Sequence, residues 1–406
     1  MRISTASVYQ DAVTNFNDMQ SAIANSINEV SSGIALTSPA VNPTASSQVL
    51  IATQSGDLNT QYGVNRANAN DSLNTSDGVL SGVTNLMQNL AGQIVAAGSG
   101  ALTGSDRTSI ATQMQSSLSQ LMTLANSTDS NGNYVFSGST VGTEPYTATS
   151  NGAVYNGNQN TQMLQVDSAQ QLPVTMVGSA IFGNITVSPN TYFSTASASN
   201  TSTATMSNGT LVNAAAVTQD NYAVTFTSPT TYSVTDTSTG VVVPPASNAY
   251  TSGAALTIAG VQYSITNGAA PNGVPATGDQ FNVQPGNQNI FQVLTNAITA
   301  LKTGTATPGG QTNLANALAQ ANTSISASMN NVLNARDQIG NSLQQISSLN
   351  NVGQTVGLAI TTTISDLQDA NYAQVVSQLS QEQFTYKAAQ QAFASTSQLS
   401  LLSLIR

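Results

Sequence analysis

Apolar residues repeat every three or four positions at both ends of the chain and every second position in its middle. Tyr9, Val13, Phe16, Gln20, Ile23, Ile27, Val30 and Ile34 are spaced 4-3-4-3-4-3-4, the seam of a coiled-coil helix broken once by a polar residue. Such a helix is about 39 Å long at ~1.5 Å per residue. Pro39 and Pro43 are expected to stop it. A second seam runs Leu73, Leu80, Val83, Met87, Leu90, Ile94 and Ala97, up to Gly98-Ser99-Gly100. A third carries Ile110, Met114, Leu121 and Leu124, with Ser117 as the gap and Ser105 or Asp106 as the cap.

After Asn126 the period changes. Asn131-Gly132 is a hairpin signal of the type I′ kind. Runs such as Tyr222–Phe226 and Val261–Ile265 alternate as half-buried strands do. Ten of the twelve prolines lie from Pro145 to Pro308. Residues 194–208 read as a loop or a weak strand. Helical spacing returns at Phe291, Leu294, Ile298 and Leu301, then at Leu314, Leu318, Ile325, Val332, Ile339, Leu343 and Ile346. It resumes with Val352, Val356, Ile360, Ile364 and Leu367, and the tail carries Tyr372, Val376 and Leu379. The last residues, Leu399, Leu401, Leu402, Leu404 and Ile405, are apolar where termini are normally polar.

The fold class is therefore α+β. Long antiparallel helices from both chain ends form coiled-coil and helical-bundle domains, and an all-β domain is inserted between them. The expected boundaries are 1–45 and 356–406 for the two parts of the coiled-coil domain. Residues 46–140 and 289–355 make the helical domain, and 141–288 the β-rich outer domain.

Composition narrows the function. The 406 residues carry 7 basic and 17 acidic side chains, a formal net charge of −10, and no His, Cys or Trp. Disulfides, thiolate or imidazole metal sites and histidine-based catalysis are excluded. So few cations make a nucleic-acid groove a poor reading. No run approaches the ~18 apolar residues of a membrane span. The start, MRISTASVYQDAVTNF, lacks the features of a secretory signal, so export, if any, is expected by a route that leaves no cleaved signal peptide. Asp366 and Asp369 share one helix face, where a solvated or subunit-contact role is the plain reading. Asp129-Ser130-Asn131-Gly132-Asn133 has the start of a calcium loop, but the twelfth residue is Thr140 rather than Glu. No catalytic constellation, cofactor site or metal site is expected, and the chain does not read as an enzyme.

Several short motifs resemble the flagellar hook-associated protein 3 family, relatives of flagellin. They are Met1-Arg2-Ile3-Ser4-Thr5 with Tyr9, and Glu29-Val30-Ser31-Ser32-Gly33 leading into Pro39 and Pro43. Gly132-Asn133-Tyr134-Val135-Phe136-Ser137-Gly138 with Pro145-Tyr146 is the most specific. Ser365, Asp369-Ala370, Ser400-Leu401-Leu402 and Ile405 fit at the other end. Ile34 stands where the family usually has Lys, and Ala40-Val41-Asn42-Pro43 replaces an acidic turn. The resemblance implies a structural subunit that leaves the cell through the flagellar type III export channel. It would assemble between hook-associated protein 1 and the first flagellin, with copies of itself and an export chaperone as further partners, in the extracellular flagellum.

An exposed apolar stripe cannot persist on a free subunit. Subunit contacts are therefore expected at Tyr9, Val13, Phe16, Ile23, Ile27, Val30, Ile34, Ile360, Ile364, Leu367, Leu379, Leu399, Leu401, Leu402 and Ile405. Residues 1–40 and 360–406 are expected to order only in the polymer. The rival readings are flagellin itself, and a surface adhesin acting through the β domain.

Overall fold

A computed structural model describes residues 5–404 except 151, 184, 186–191, 198, 219, 286–287 and 304–309; side chains at 5, 6, 8, 312 and 397–404 also lie outside the description. The chain runs α1 (Thr5–Ser32), α2 (Pro43–Ala97), α3 (Gly104–Ala125), then thirteen strands, then α4 (Ile290–Thr303), α5 (Gly310–Gln368) and α6 (Tyr372–Leu404). The strands are β1 (Tyr146–Thr149), β2 (Gly152–Tyr155), β3 (Met163–Asp167), β4 (Gln170–Pro173), β5 (Tyr192–Ala196), β6 (Thr205–Met206) and β7 (Thr210–Leu211). They continue with β8 (Tyr222–Ser228), β9 (Thr231–Asp236), β10 (Val242–Ala249), β11 (Ala255–Ile258), β12 (Val261–Thr266) and β13 (Gln280–Pro285). Helices at both ends around an all-β middle are thus the observed arrangement. No helix among the described residues is long and apolar enough to cross a membrane.

The structure divides into two compact units. One holds residues 1–64 and 348–406, the other residues 65–347. The helix ends depart from expectation in instructive ways. Gly33, at φ +73°, ends α1 well before the prolines, with its N–H on the Glu29 carbonyl at 2.9 Å. A left-handed residue after the last turn is the usual helix stop, and glycine adopts it without strain. Pro43 opens α2 instead of ending α1, as suits a residue that has no N–H to satisfy in the first turn. The cap of α3 is Thr103, whose hydroxyl accepts from the Asp106 N–H at 3.2 Å while the Asp106 carboxylate accepts from the Thr103 N–H at 2.9 Å. That reciprocal pair satisfies two end groups at once, which Ser105 or Asp106 as caps would not.

In the 65–347 unit the seams close on a dry interior. Leu73, Leu80, Val83, Met87, Leu90, Ile94 and Ala97 of α2 are all buried, as are Met114 and Leu121 of α3, Phe291, Leu294, Ile298 and Leu301 of α4, and Leu314, Leu318, Ile325, Val332, Ile339 and Ile346 of α5. Here the apolar stripes are spent on an intramolecular core. Arg336 Nε reaches Asp77 at 2.8 Å and ties α5 to α2.

The β part has a five-stranded antiparallel sheet in the order β10-β9-β8-β13-β5 and a smaller sheet of β11, β12 and β6, with β7 on β12. Inward residues of both sheets, among them Tyr222, Val224, Phe226, Tyr263, Ile265 and Phe281, share one core. Residues 194–208 resolve into the end of β5 and the short β6, with irregular chain between them.

The run from Tyr134 to Gly138 does a packing job. Phe136 meets Phe182 edge-on at 5.5 Å, Phe182 meets Tyr146 at 5.8 Å, and Tyr146 meets Phe291 of α4 at 4.9 Å. The Tyr155 hydroxyl donates within 3.0 Å of the Phe136 and Asn158 carbonyls. Buried Tyr146 has no acceptor for its hydroxyl, and burial pushes its ionisation far up. Asn131-Gly132 is not a type I′ turn, because Gly132 has positive φ and Asn131 does not. The Asp129 carboxylate holds the loop instead, accepting from the N–H groups of Asn131 at 2.8 Å and Asn133 at 2.9 Å.

Candidate assembly surface

The unit of residues 1–64 and 348–406 has almost no interior. Among its described hydrophobic side chains only Ala45 and Val375 are buried. Its long helices are joined by one-sided seams. α1 and α6 run antiparallel: Tyr9 stacks on Phe393 at 5.5 Å, Phe16 touches Tyr386 and Phe393 at 5.9 and 5.8 Å, and Ser26 donates to Glu382 at 2.8 Å. Near the far end of the pair, Ile34 bridges Asp369, and the Ala370 N–H reaches the Gly33 carbonyl at 2.8 Å. α2 and α5 approach closely at glycines. A Cβ on Gly56 would lie 3.4 Å from Ile360, and Asn59 donates to the Gly353 carbonyl at 2.9 Å.

The stripe on α1 is wider than its seam. The side turned toward α6 carries Ala12, Phe16, Met19, Ile23, Ser26 and Val30, all partly or fully covered. Three of the expected seam positions, Phe16, Ile23 and Val30, belong to it. Gln20 is exposed, and so are Tyr9 (61%), Val13 (42%) and Ile27 (47%). A helix turns ~100° per residue, so shifting the seam by one position changes which apolar residues point out. Ile34, Ile360, Ile364, Leu367 and Leu379 are half-buried. The side chains of Leu399, Leu401, Leu402 and Ile405 lie outside the described residues.

Spacing of apolar residues alone missed Tyr386 and Phe393. The α6 seam is Val375, Leu379, Glu382, Tyr386, Ala389 and Phe393, with a carboxylate and a methyl at two of its positions. Phe384 (73%) and Leu358 (70%) were missed as well, and both stand in solvent. No enclosed chemistry accompanies this surface. Among the described residues no group of three or more acidic side chains is placed to hold a metal ion. What remains is a long helical pair with apolar side chains on its open flank, far more than a free monomer normally shows.

Comparison with known proteins bears on that flank. Residues 3–141 match the model of the bacterial flagellin N-terminal helical region. The class that fold and sequence define is the flagellin-like one, with paired terminal helices around a variable β-rich middle. The particular likeness is to flagellar hook-associated protein 3: the chain is 27% identical to that of Salmonella typhimurium over 411 residues, covering 100% of both chains. The crystal structure of FlgL from Xanthomonas campestris aligns with a TM-score of 0.61 and 26% identity, over 77% of this chain and 99% of that one. The flagellar junction protein FlgL from Legionella pneumophila aligns with a TM-score of 0.57 and 25% identity, over 79% and 100%.

Proposed function

We propose that this chain is a structural subunit of the bacterial flagellum that joins the hook to the flagellin filament. The observation that carries the reading is the exposed apolar flank of α1, α5 and α6 in a unit with almost no interior of its own. Together with the full-length likeness to hook-associated protein 3, this makes helical assembly the natural way to cover that surface. The partners in this reading are copies of the chain itself, hook-associated protein 1 on the hook side and flagellin on the filament side. An export chaperone would shield the terminal helices before secretion through the flagellar type III channel. The location is the flagellum, outside the cell.

The mechanism is packing rather than catalysis. Head-to-tail contacts between identical surfaces produce a helical ring. Tyr9, Val13 and Ile27 on α1, and Ile360, Ile364, Leu367 and Leu379 on α5 and α6, supply its apolar contacts, together with the Leu399–Ile405 tail. Residues 1–40 and 360–406 order fully only in the polymer. Deleting the gene in its own organism tests the reading. The expected result is bare hooks by negative-stain electron microscopy with flagellin shed into the medium. Bare hooks without flagellin in the medium would make the chain the flagellin, and normal filaments would overturn both.

A further inference from the structure

Arg107 is buried and unpartnered. It lies near the start of α3 and is 7% exposed, and neither its Nε nor its NH1 meets an acceptor. The other deeply buried arginine is treated differently: Arg66 donates from NH1 to the Val166 carbonyl at 2.9 Å. The carboxylate beside Arg107 in sequence is committed elsewhere, since Asp106 accepts from the Thr103 N–H at 2.9 Å and hydroxyl at 2.6 Å. A guanidinium that is both desolvated and unpaired is among the costliest arrangements in a folded chain.

A cavity of about 170 Å³ opens on this guanidinium. Gly98, Ser99 and Gly100 form one wall, and Gln311 and Leu314 in the first turns of α5 form another. No acidic residue lines it. The carbonyl end of α2 borders the space, but the Gly98 N–H takes the Ile94 and Val95 carbonyls and the Ser99 N–H takes that of Ala96. The beginning of a 59-residue helix adds a positive partial charge on the opposite side. Two independent features therefore favour negative charge in a space sized for a small anion.

We propose that this cavity is an oxyanion site in which Arg107 takes a carboxylate or phosphate group through paired N–H donors. The planar fork of arginine fits such groups two atoms at a time, and charge-assisted bonds of that kind are the strong ones. The group comes either from a free anion or from an acidic side chain of a second copy, and the chain has 17 acidic residues to supply it.

The full chain, with R107K and R107M, distinguishes the sources. Thermal unfolding is followed in phosphate and in chloride at matched ionic strength. A free-anion site raises the midpoint of the native chain by about 2–4 °C in phosphate, less in R107K and not at all in R107M. In chloride, R107M unfolds no earlier than the native chain, because methionine fills the space without the unpaired charge. If R107M fails to fold, R107K carries the comparison. A carboxylate from a second copy shows instead as lost self-assembly of R107M by light scattering, with no phosphate response in the native chain. Equal phosphate response and equal assembly of native and variant chains overturn the proposal. Failure of the native chain itself to assemble bears on the junction reading and leaves the phosphate comparison standing.

Discussion

Phe16 of α1 and Phe393 of α6 meet edge to face, with centroids 5.8 Å apart and planes at 86°, although 377 positions separate them in sequence. The contact fixes the register of the terminal helices at one end, and the Ile34–Asp369 bridge fixes it near the other. With so little else buried in this unit, a few aromatic contacts carry much of the pairing. Replacing Phe16 by Ala is expected to weaken the pair by about 2 kcal/mol, roughly half the loss for a fully buried Phe. Hydrogen exchange of the full chain should show faster exchange across α1 and α6 and unchanged protection in Leu73–Ala97. Unchanged exchange in the terminal helices would contradict this.

Two glycines of the specific motif separate space from backbone strain. Gly138 has φ +70°, and a Cβ there would fall 2.6 Å from the Asn158 carbonyl oxygen. Gly132 has φ +81° with nothing within 4 Å. G132A should therefore cost about 1 kcal/mol from the left-handed backbone alone. G138A adds displacement of the Asn158 loop and should cost more than twice that. Urea unfolding of the two variants checks the order.

Asp279 gives the β domain an acid limit. Burial opposes its ionisation, but the Ala276 and Thr201 N–H groups, at 2.9 and 2.8 Å, outweigh that and hold the carboxyl below its ordinary range. A depressed carboxyl stabilises the fold above its unfolded pKa of about 4, and the contribution disappears as pH falls through the folded value. The urea midpoint of the native chain should thus drop more steeply below about pH 4 than that of D279N. Parallel pH profiles would remove Asp279 from this role.

The Asp77–Arg336 pair is a third exposed on each side. Its double-mutant-cycle coupling should not exceed about 1 kcal/mol and should fall with salt.

Much of the fold was legible in the chain because the 65–347 helices have one buried face each. Leu73 to Ala97 repeat as a core stripe and are buried as one. Legibility ended where two surfaces compete for the same apolar residues. On α1 the periodicity could not say whether the Val13–Ile27 line or the Met19–Ser26 line faces α6, because both are one turn-step apart on a broad stripe. On α6 the seam passes through Glu382 and Ala389, so counting apolar residues skipped from Leu379 to Leu399. The sheet order was not legible either. β13 lies between β8 and β5, and such pairings are set by distant strands rather than local pattern.

The open flank of α1 is the central claim. V13K with I27K places charges on side chains that are already exposed, so the free subunit should keep its unfolding midpoint to within about 0.5 kcal/mol. Expressed in the deletion strain, the double variant should be exported yet leave bare hooks, with flagellin and variant subunit both in the medium, while the native chain restores filaments. Filaments restored in full by the V13K/I27K variant would contradict an assembly role for this face.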